Sequence, residues 1–262
     1  MDLSNAVCII TGSATGIGAA CAIDLAKKGA RVVINYTKSE AEAKATVKAC
    51  AQAGAETSLI RADVANDDDC RRIAQATLDQ WGCIDILVNN AGITKFAPNH
   101  ADLDALQAED FQRLYAVNVV GVFQMTRAVV PAMKKEGKGA IVNISSVAGV
   151  SGTGSSVAYA ASKGALNTMT LSLARALAPE IRVNAVCPGF VETRWFREGL
   201  GQDAYLNAKA RYEETSALHK TIVPDDVARA VTWLLQGADR VTGEFITVDS
   251  GMHLGLAPAK AR

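Results

Sequence analysis

The sequence predicts a single α/β domain, residues 1–262, in which a doubly wound, seven-stranded parallel sheet carries helices on both faces. Short runs rich in β-branched residues alternate with longer amphipathic segments, which is the pattern of parallel strands joined by crossover helices. Seven such runs occur, and no repeat, low-complexity tract or shift in composition marks a second domain. A chain of 262 residues has a size that α/β folds accommodate in one domain.

The predicted strands each contain Val or Ile, residues that favour a pleated and buried surface. In chain order they cover 6–11, 31–35, 57–61, 84–89, 140–145, 181–187 and 244–248. Helical patterns fill most of the intervals; the first helix extends to Lys28, and Gly29 is a typical residue at a helix C-terminus. Because ligands of such sheets bind beyond the carboxyl ends of the strands, functional motifs are expected there.

One connection is unusually long. Residues 190–223 separate the sixth strand from a helix that opens at Pro224, whereas ordinary connections of this kind are short. We interpret this segment as a substrate lid. Its aromatic residues indicate an apolar lining, and its Arg and Lys residues indicate a contact with an anionic group. The sequence is therefore compatible with an apolar substrate, an anionic substrate or an acyl group bound to a carrier protein.

The charges of the chain balance, since Lys plus Arg and Asp plus Glu each number 27. No excess of positive charge is available to bind the phosphates of a nucleic acid, and we expect no nucleic-acid partner. The uncharged stretch 139–162 is interrupted by Asn143 and by many Ser and Gly residues, which favours a buried strand and a loop over a membrane span. The first residues lack the basic region of an export signal, so we expect a cytoplasmic protein without a membrane partner.

The six cysteines lack C-x-x-C spacing, and the three histidines are far apart in the chain. Metal sites built from these residues usually show closer spacing, so we expect no metal. Several of the cysteines lie in apolar strand or helix patterns, where a free thiol packs as a small hydrophobic side chain. Free thiols are consistent with a reducing compartment.

A glycine-rich turn follows the first strand and opens the first helix. Its pattern is Thr11-Gly12-x-x-x-Gly16-x-Gly18, which differs from G-x-G-x-x-G in spacing. Glycine permits a tight turn and the close approach of a phosphate, and the free N–H groups of a helix N-terminus stabilise negative charge. The turn is therefore predicted to bind the pyrophosphate of a dinucleotide, with a simple flexible turn as the alternative.

Tyr159 and Lys163 lie four residues apart in a helical segment, so both side chains leave the same face of the helix. A free tyrosine has a pKa of about 10, which is too high for efficient proton transfer at neutral pH. A neighbouring ammonium favours the phenolate, and we expect Lys163 to lower the pKa of Tyr159 and make it a general acid–base. The alternative is an ordinary surface pair on a solvated helix.

Taken together, the motifs resemble those of the short-chain dehydrogenase/reductases along nearly the whole chain. The matching motifs stand in the family's order: the glycine turn, Asn89-Asn90-Ala91-Gly92, Asn118, Ser146, Tyr159-x-x-x-Lys163 and Pro188-Gly189. The resemblance implies a Rossmann-type fold and hydride transfer between a nicotinamide cofactor and a carbonyl group. Within the family the chain is most similar to NADP(H)-dependent ketoreductases, such as β-ketoacyl carrier-protein reductases and glucose dehydrogenases. Similar proteins are mostly tetramers, and the apolar helical stretch 110–135 is suited to pairing with its copy, so we expect a homotetramer.

The resemblance also implies four catalytic residues. Ser146 donates a hydrogen bond to the substrate carbonyl; it is favoured over Ser145 because it stands thirteen residues before the tyrosine, as in the family. Tyr159 supplies the proton, while Lys163 lowers the pKa of the tyrosine and binds ribose. Asn118 holds a water that connects the lysine to solvent, and a satisfied amide in the core is the alternative.

Apart from Tyr159 and Lys163 on their helix, the cofactor contacts implied by the resemblance lie in the segments that follow the predicted strands. They are Gly12, Ser13, Thr15, Gly16, Ile17, Gly18, Asn35, Tyr36, Thr37, Lys38, Asp63, Val64, Asn90, Ala91, Gly92, Tyr159, Lys163, Pro188, Gly189, Val191 and Thr193. Asp63 is placed near the adenine amino group, with a helix N-cap as its alternative role. The segment from Pro188 to Thr193 holds the nicotinamide carboxamide. Asn89 is expected to brace the sheet instead.

No acidic residue follows the second strand, where NAD sites usually carry a carboxylate that binds the ribose hydroxyls. The sequence there is Asn35-Tyr36-Thr37-Lys38-Ser39, so Lys38 and small hydroxyl groups are available to a 2′-phosphate. We therefore predict NADP(H) as the cofactor. No arginine follows the strand directly, which leaves NAD(H) open.

The predicted function is the reversible reduction of a keto substrate to a secondary alcohol, with Tyr159 as general acid–base. An NAD-dependent alcohol or sugar dehydrogenase of the same family is one alternative. A regulator that binds NADPH without catalysis is another, since a dinucleotide fold does not guarantee chemistry. The expected partners are a small carbonyl or alcohol substrate, an acyl thioester included, and further copies of the chain.

Overall fold

The computed structural model of the chain describes residues 1–255, which form an α/β domain around one parallel sheet of seven strands. The strands are β1 (Val7–Ile10), β2 (Arg31–Tyr36), β3 (Thr57–Arg61), β4 (Ile86–Asn89), β5 (Gly139–Ile144), β6 (Ile181–Pro188) and β7 (Phe245–Val248). Their order across the sheet is β3-β2-β1-β4-β5-β6-β7. This is the Rossmann-type architecture that the sequence predicts. Residues 256–262 of the predicted domain lie outside the described part.

All seven predicted strands are present, and their bounds differ from the predicted ones by at most two residues. The largest difference is at β4, which was expected from residue 84 and begins at Ile86. The backbone N–H of Val7 donates to the carboxylate of Asp85 at 2.9 Å, so a side chain takes the place of a backbone acceptor there. Regular pairing of β1 with β4 consequently starts one residue later, at Cys8 and Ile86.

The helices cover the intervals between strands. They are α1 (Gly16–Lys27), α2 (Glu40–Gln52), α3 (Asp67–Trp81), α4 (Ala108–Tyr115), α5 (Val122–Lys135), α6 (Ala148–Ser151), α7 (Val157–Leu177), α8 (Arg194–Leu200), α9 (Gln202–Thr215) and α10 (Pro224–Gln236). A π-helical turn, Ala116–Gly121, joins α4 to α5, so the three pieces form one continuous rod. As predicted, α1 stops just before Gly29, whose φ of 86° is left-handed, and α10 opens at Pro224.

Helices pack on both faces of the sheet because neighbouring residues of a strand point to opposite sides. Within β1, Cys8 and Ile10 pack with α1, α2 and α10 on one face. Ile9 packs with α3, α5 and α7 on the other face. Both sides of the central strands are therefore buried, which is why these strands are nearly continuous apolar runs in the sequence.

The order of the strands places a crevice at one end of the sheet. From β1 the chain passes to β2 and β3 on one side, and then crosses to β4 on the other side of β1. The connections after β1 and β4 leave the sheet in opposite directions, and such a switch point is where open α/β sheets bind their ligands.

The helical rod 108–135 is long and apolar enough to cross a membrane by length and composition, with a mean hydropathy of 1.3 in its most apolar window, of which 39% is buried. Its inner face packs against the sheet through Met125, Val129 and Met133. Core helices pass the same test, so the property is a weak indication of a membrane span.

The segment 190–223, expected to be a long interruption, is mostly helical because it contains α8 and α9. Phe190, Tyr205 and Tyr212 form a small buried cluster of their own. The hydroxyl of Tyr212 donates to the backbone carbonyl of Asp249 at 2.5 Å, just after β7. These aromatic side chains pack the segment together and fasten it to the end of the sheet.

All six cysteines are free thiols, and all except Cys83 are buried. Burial raises the pKa of Cys50 to about 11 and that of Cys21 and Cys70 to about 12, because a thiolate is poorly stabilised away from water. The thiols therefore behave as the small hydrophobic groups that the sequence pattern indicates.

The burial of these thiols predicts how fast they react with a thiol reagent. Since the thiolate is the reactive form, the native protein is expected to react slowly with an aromatic disulfide reagent at mildly alkaline pH, and only half-buried Cys83 is expected to be labelled quickly. After unfolding in guanidinium, all six should react. Rapid labelling of two or more thiols in the native protein would contradict their burial.

Candidate active site

The carboxyl ends of the strands open into a cavity of about 950 Å³. Its lining comes from the segments that follow β1 to β6 and from residues of 190–223. The volume is at the upper end of the range of small-molecule and cofactor sites, so the cavity can hold a ligand as large as a dinucleotide.

The glycine turn forms part of the cavity wall at the N-terminus of α1. Gly12 has a φ of 61°, a left-handed conformation that favours glycine, and a Cβ at this position would lie 2.9 Å from the Cα of Ala91. Thr15, the N-cap, lines the cavity and makes no side-chain capping bond within the described residues. Gly16 and Ile17 line the cavity as the first helical residues. Such a helix start stabilises an anion, so the turn fits a pyrophosphate.

Asn35 and Ser13 hold this turn in shape. The side-chain oxygen of Asn35 accepts from the N–H of Gly12 at 3.0 Å, and its amide nitrogen donates to the carbonyls of Ile60 and Ala62. The hydroxyl of Ser13 donates to the carbonyl of Ile10 at 2.7 Å and accepts from the N–H of Asn35 at 3.0 Å. Both side chains are buried, and their hydrogen bonds are made within the protein.

The segment after β4 is tied to the same turn. The hydroxyl oxygen of Thr11 accepts from the N–H groups of Asn90 and Ala91, both at 3.0 Å. The amide of Asn90 donates to the carbonyls of Thr11 and Gly12, both at 2.9 Å. Asn89 braces the sheet, as predicted, because its buried amide donates to Asn143 on the neighbouring strand at 2.9 Å. These hydrogen bonds hold together the segment after β1 and the segment after β4, which form the two sides of the crevice.

Most of the predicted cofactor residues line the cavity, and three do not: Ser13, Gly18 and Tyr36. Gly18 packs too closely to reach a ligand directly, since a Cβ there would lie 2.4 Å from the amide nitrogen of Asn90. Tyr36 packs against the core. These three residues therefore lie outside the cavity lining. Asp63 does line the cavity, and it is not the cap of α3, because the Asn66 side chain accepts the N–H groups of Asp68 and Asp69.

Tyr159 and Lys163 enter the cavity from α7 and leave the same face of that helix, as predicted. The helix begins at Ser156, whose hydroxyl accepts the N–H of Tyr159 at 3.1 Å. Both side chains are nearly inaccessible, with 7% of Tyr159 and 4% of Lys163 exposed. This excludes the alternative of a surface pair on a solvated helix.

Ser146 faces Tyr159 from the end of β5. Its hydroxyl accepts the N–H of Ala148 at 3.1 Å, which leaves the hydroxyl proton available for another acceptor. The hydroxyl of neighbouring Ser145 donates instead to Asn167 at 2.6 Å and approaches the carbonyl of Lys163 at 3.3 Å. Both serines line the cavity, but the hydroxyl proton of Ser145 is used inside the protein, and the choice of Ser146 as the catalytic serine stays a prediction.

Asn118 lies in the π-helical turn and is fully buried. Its side-chain oxygen accepts the N–H of Ile93 at 2.9 Å, and its amide nitrogen donates to the carbonyl of Ile93 at 3.0 Å and to the hydroxyl of Ser162 at 3.1 Å. Asn118 thus fastens the loop after Gly92 to α7. This contact set matches the satisfied core amide that the sequence left as an alternative, and the water relay stays a prediction.

Comparison with known proteins identifies the family of this chain. Residues 12–253 match a family model described as "Enoyl-(Acyl carrier protein) reductase", a model of the short-chain dehydrogenase/reductases. The chain belongs to the short-chain dehydrogenase/reductase family. It is therefore an oxidoreductase, which removes the non-catalytic regulator from the alternatives.

Relatives of this short-chain dehydrogenase/reductase match along almost their whole length. A Streptomyces violaceoruber protein assigned as ketoacyl reductase 2 of the granaticin polyketide synthase is 39% identical over 248 residues, covering 95% of this chain and 96% of the relative. The 3-oxoacyl-[acyl-carrier-protein] reductase FabG of Thermotoga maritima is 37% identical over 254 residues, covering 96% and 99%. A crystal structure of a Burkholderia xenovorans protein assigned to the same family has a TM-score of 0.89 and 41% identity, covering 96% and 99%.

The electrostatics of the short-chain dehydrogenase/reductase site correct one expectation. Burial raises the pKa of Tyr159 above its usual value, and the neighbouring Ser146 hydroxyl acts in the opposite direction with a smaller effect. Burial lowers the pKa of Lys163 to about 8. The expected lowering of the Tyr159 pKa by Lys163 is therefore wrong for the protein alone, because burial penalises the charged forms of both groups. The Lys163 ammonium donates to the carbonyl of Ile144 at 2.8 Å and lies 5.7 Å from the centre of the Tyr159 ring.

Sequence reasoning assigned no role to several side chains that line the cavity. Trp195 stands edge-on to the Tyr159 ring, with the ring centres 5.7 Å apart. Phe96, from the loop after β4, packs against Trp195 and Phe196. Arg194 also lines the cavity. Aromatic and basic residues in 190–223 were visible in the sequence, but their directions depend on how α8 lies against the rest of the domain.

Proposed function

We propose that this short-chain dehydrogenase/reductase reduces the keto group of an organic substrate to a secondary alcohol, and catalyses the reverse oxidation, with NADP(H) as cofactor. The observation that carries the proposal is that Tyr159 and Ser146 line the same cavity as the glycine turn. A proton donor and a hydrogen-bond donor for a carbonyl oxygen are thereby combined with a site that fits a pyrophosphate. The bound cofactor supplies the hydride.

Tyr159 is the proposed acid in the direction of reduction. Because burial raises its pKa, the phenol is protonated at neutral pH and has a proton to give. That proton goes to the substrate oxygen, which gains negative charge as the carbonyl is reduced. The hydroxyl of Ser146 donates to the same oxygen and stabilises the developing charge.

Lys163 is proposed to bind the ribose hydroxyls of the cofactor. Its pKa of about 8 means that most of it is charged at neutral pH. The ammonium lies close to Gly92, where a Cβ would be 3.7 Å from Nζ. Asn118 fixes that loop through Ile93, and we propose that a water held at Asn118 passes protons between Lys163 and solvent.

NADP(H) is proposed over NAD(H) from the residues that follow β2. Thr37 and Lys38 line the cavity there, and the stretch 35–39 contains no carboxylate to repel a 2′-phosphate. Asp63 and Val64, after β3, line the part of the cavity proposed for adenine. Pro188, Gly189, Val191 and Thr193, after β6, are proposed to hold the nicotinamide carboxamide.

The segment 190–223 is proposed as the substrate lid. Trp195, Phe196 and Leu200 line the cavity from this segment, together with Phe96 from the loop after β4. These side chains support a substrate with an apolar body next to its keto group. The relatives named as ketoacyl and 3-oxoacyl-[acyl-carrier-protein] reductases support an acyl thioester.

We further propose a cytoplasmic homotetramer. The outer faces of α4, of the π-helical turn and of α5 leave Phe111, Val120 and Phe123 exposed, and α7 leaves Leu171 exposed. An apolar surface of this kind is stabilised when a second copy of the chain covers it. The six free thiols support a reducing compartment.

A spectrophotometric panel tests the proposal. Simple ketones, β-ketoacyl thioesters, enoyl thioesters and sugars would each be mixed with the enzyme and with NADPH or NADH. We expect fastest oxidation of NADPH with a ketone or a β-ketoacyl thioester, and a kcat/KM at least about tenfold lower with NADH, since one charged hydrogen bond contributes about 1.5 kcal/mol or more. If NADH but not NADPH supports turnover, the proposed use of NADP(H) is contradicted. If only the enoyl thioesters are reduced, the proposed reduction of a keto group is contradicted.

A further inference from the structure

The first residue of α8 connects the segment 190–223 to the far side of the cavity. The Arg194 guanidinium donates to the carboxylate of Glu42 at 2.6 Å and to the hydroxyl of Ser39 at 2.9 Å. Ser39 is the N-cap of α2 and Glu42 lies in its first turn. Arg194 is more than 150 residues away from both in the chain, so this contact is a product of the fold.

This contact stands beside the residues that follow β2. Arg194 and Lys38 line the same cavity, as does Thr37 between β2 and α2. The cavity therefore has two cationic side chains near the place where the ribose of an adenosine would lie after β2. Other charged groups lie close by. Glu42 is bonded to Arg194, the backbone N–H of Glu40 donates to the carbonyl of Lys38 at 3.0 Å, and the Arg61 guanidinium donates to the carbonyl of Thr37 at 3.2 Å.

The ion pair between Arg194 and Glu42 is exposed, since 43% of each side chain is accessible. Exposed pairs of this kind contribute little, and solvent competes for both partners. A phosphate dianion binds a planar guanidinium through two parallel hydrogen bonds and carries more charge than a carboxylate. A phosphate at this place can therefore compete with Glu42 for the Arg194 guanidinium.

We propose that Arg194 is a specificity residue for the 2′-phosphate of NADP(H), brought to the ribose by the segment 190–223 and acting with Lys38. The inference rests on the proposed use of NADP(H) and names the arginine that is absent after β2 in the sequence. It also links the segment to the nucleotide: a bound 2′-phosphate holds α8 over the cavity, whereas a nucleotide without that phosphate leaves Arg194 on Glu42.

The test measures binding of two nucleotide fragments by calorimetry, without turnover. Adenosine 2′,5′-bisphosphate carries the 2′-phosphate, and adenosine 5′-monophosphate lacks it. In R194L we expect the affinity for the bisphosphate to fall about tenfold, with the affinity for the monophosphate unchanged. In E42Q we expect the bisphosphate to bind a few times more tightly, because a competitor for the guanidinium is removed.

R197L is the matched control. It removes the same charge from the same helix, but the Arg197 guanidinium lies over the Tyr205 ring, 5.1 Å from its centre. We expect R197L to bind both fragments as the wild type does. If R197L loses as much affinity for the bisphosphate as R194L, the effect is general electrostatics and the inference is overturned.

Two further outcomes separate the inference from the proposed function. If the wild type binds the two fragments equally well, the NADP(H) preference is wrong and the role of Arg194 falls with it. If the wild type prefers the bisphosphate and R194L keeps that preference unchanged, the cofactor proposal stands and only the assignment of Arg194 is overturned.

Discussion

Replacement of Tyr159 by Phe is expected to lower kcat by about a thousandfold or more, while the affinity for NADPH changes by less than about a factor of two. The substitution removes the hydroxyl that gives a proton to the substrate oxygen and keeps the ring. The ring is buried on α7 and packs edge-on against Trp195, and both features are retained by Phe. The effect should therefore appear in the chemical step and leave folding and cofactor binding intact.

Single-turnover kinetics would measure the chemical step, and quenching of protein fluorescence by NADPH would measure binding. Tyr205→Phe is a suitable control, because Tyr205 is equally buried but packs with Phe190 in the small cluster of 190–223. We expect the control to keep nearly all of its activity. A Tyr159→Phe enzyme with more than about a tenth of the wild-type kcat would show that another group supplies the proton.

Replacement of Gly149 by Ala is expected to destabilise the protein by about 2 kcal/mol, and to reduce activity as well. A Cβ on Gly149 would lie 2.5 Å from the carbonyl carbon of Lys163, 2.7 Å from its oxygen and 2.8 Å from the nitrogen of Gly164. These are backbone atoms, which cannot rotate away, so α6 must move from α7. Since α6 follows Ser146 and α7 carries Tyr159, the movement would also separate the two groups that meet the substrate oxygen.

Gly164→Ala is the matched control in the same helix contact. A Cβ on Gly164 would be 3.6 Å from the carbonyl oxygen of Gly149, an ordinary contact. Gly164 lies inside α7, where alanine is favoured over glycine by about 0.5–1 kcal/mol, so this variant should be slightly more stable than the wild type. Urea unfolding of both variants would measure the difference. Equal stability of the two would mean that the approach of α6 to α7 is looser than the distances indicate.

Much of the fold could be predicted because its signals are local. The seven strands are correct to within two residues, since alternation of apolar runs and helical patterns depends on neighbours in the chain. The largest displacement, the start of β4, depends on the Asp85 carboxylate reaching Val7 across the sheet. A contact between residues so far apart in the chain has no signature in either segment alone.

In the candidate site, too, the features that depend on neighbours in the chain could be predicted, and those that depend on the whole fold could not. The spacing of Tyr159 and Lys163 determines that they share a helix face, and the glycine turn after β1 determines where a phosphate fits. The pKa of Tyr159 is different, because it depends on how deeply the whole fold buries the ring, and the expected lowering by Lys163 did not include that burial.

Residues a few positions apart in the chain are enough to specify the succession of strands and helices, the glycine turn at the start of α1, and the pair on α7. The contact of Trp195 with Tyr159 and that of Arg194 with the start of α2 form only when the chain has folded. The physical reason is that the direction of α8 is set by packing against distant parts of the chain, at Phe96 and around Phe190, and not by its own sequence.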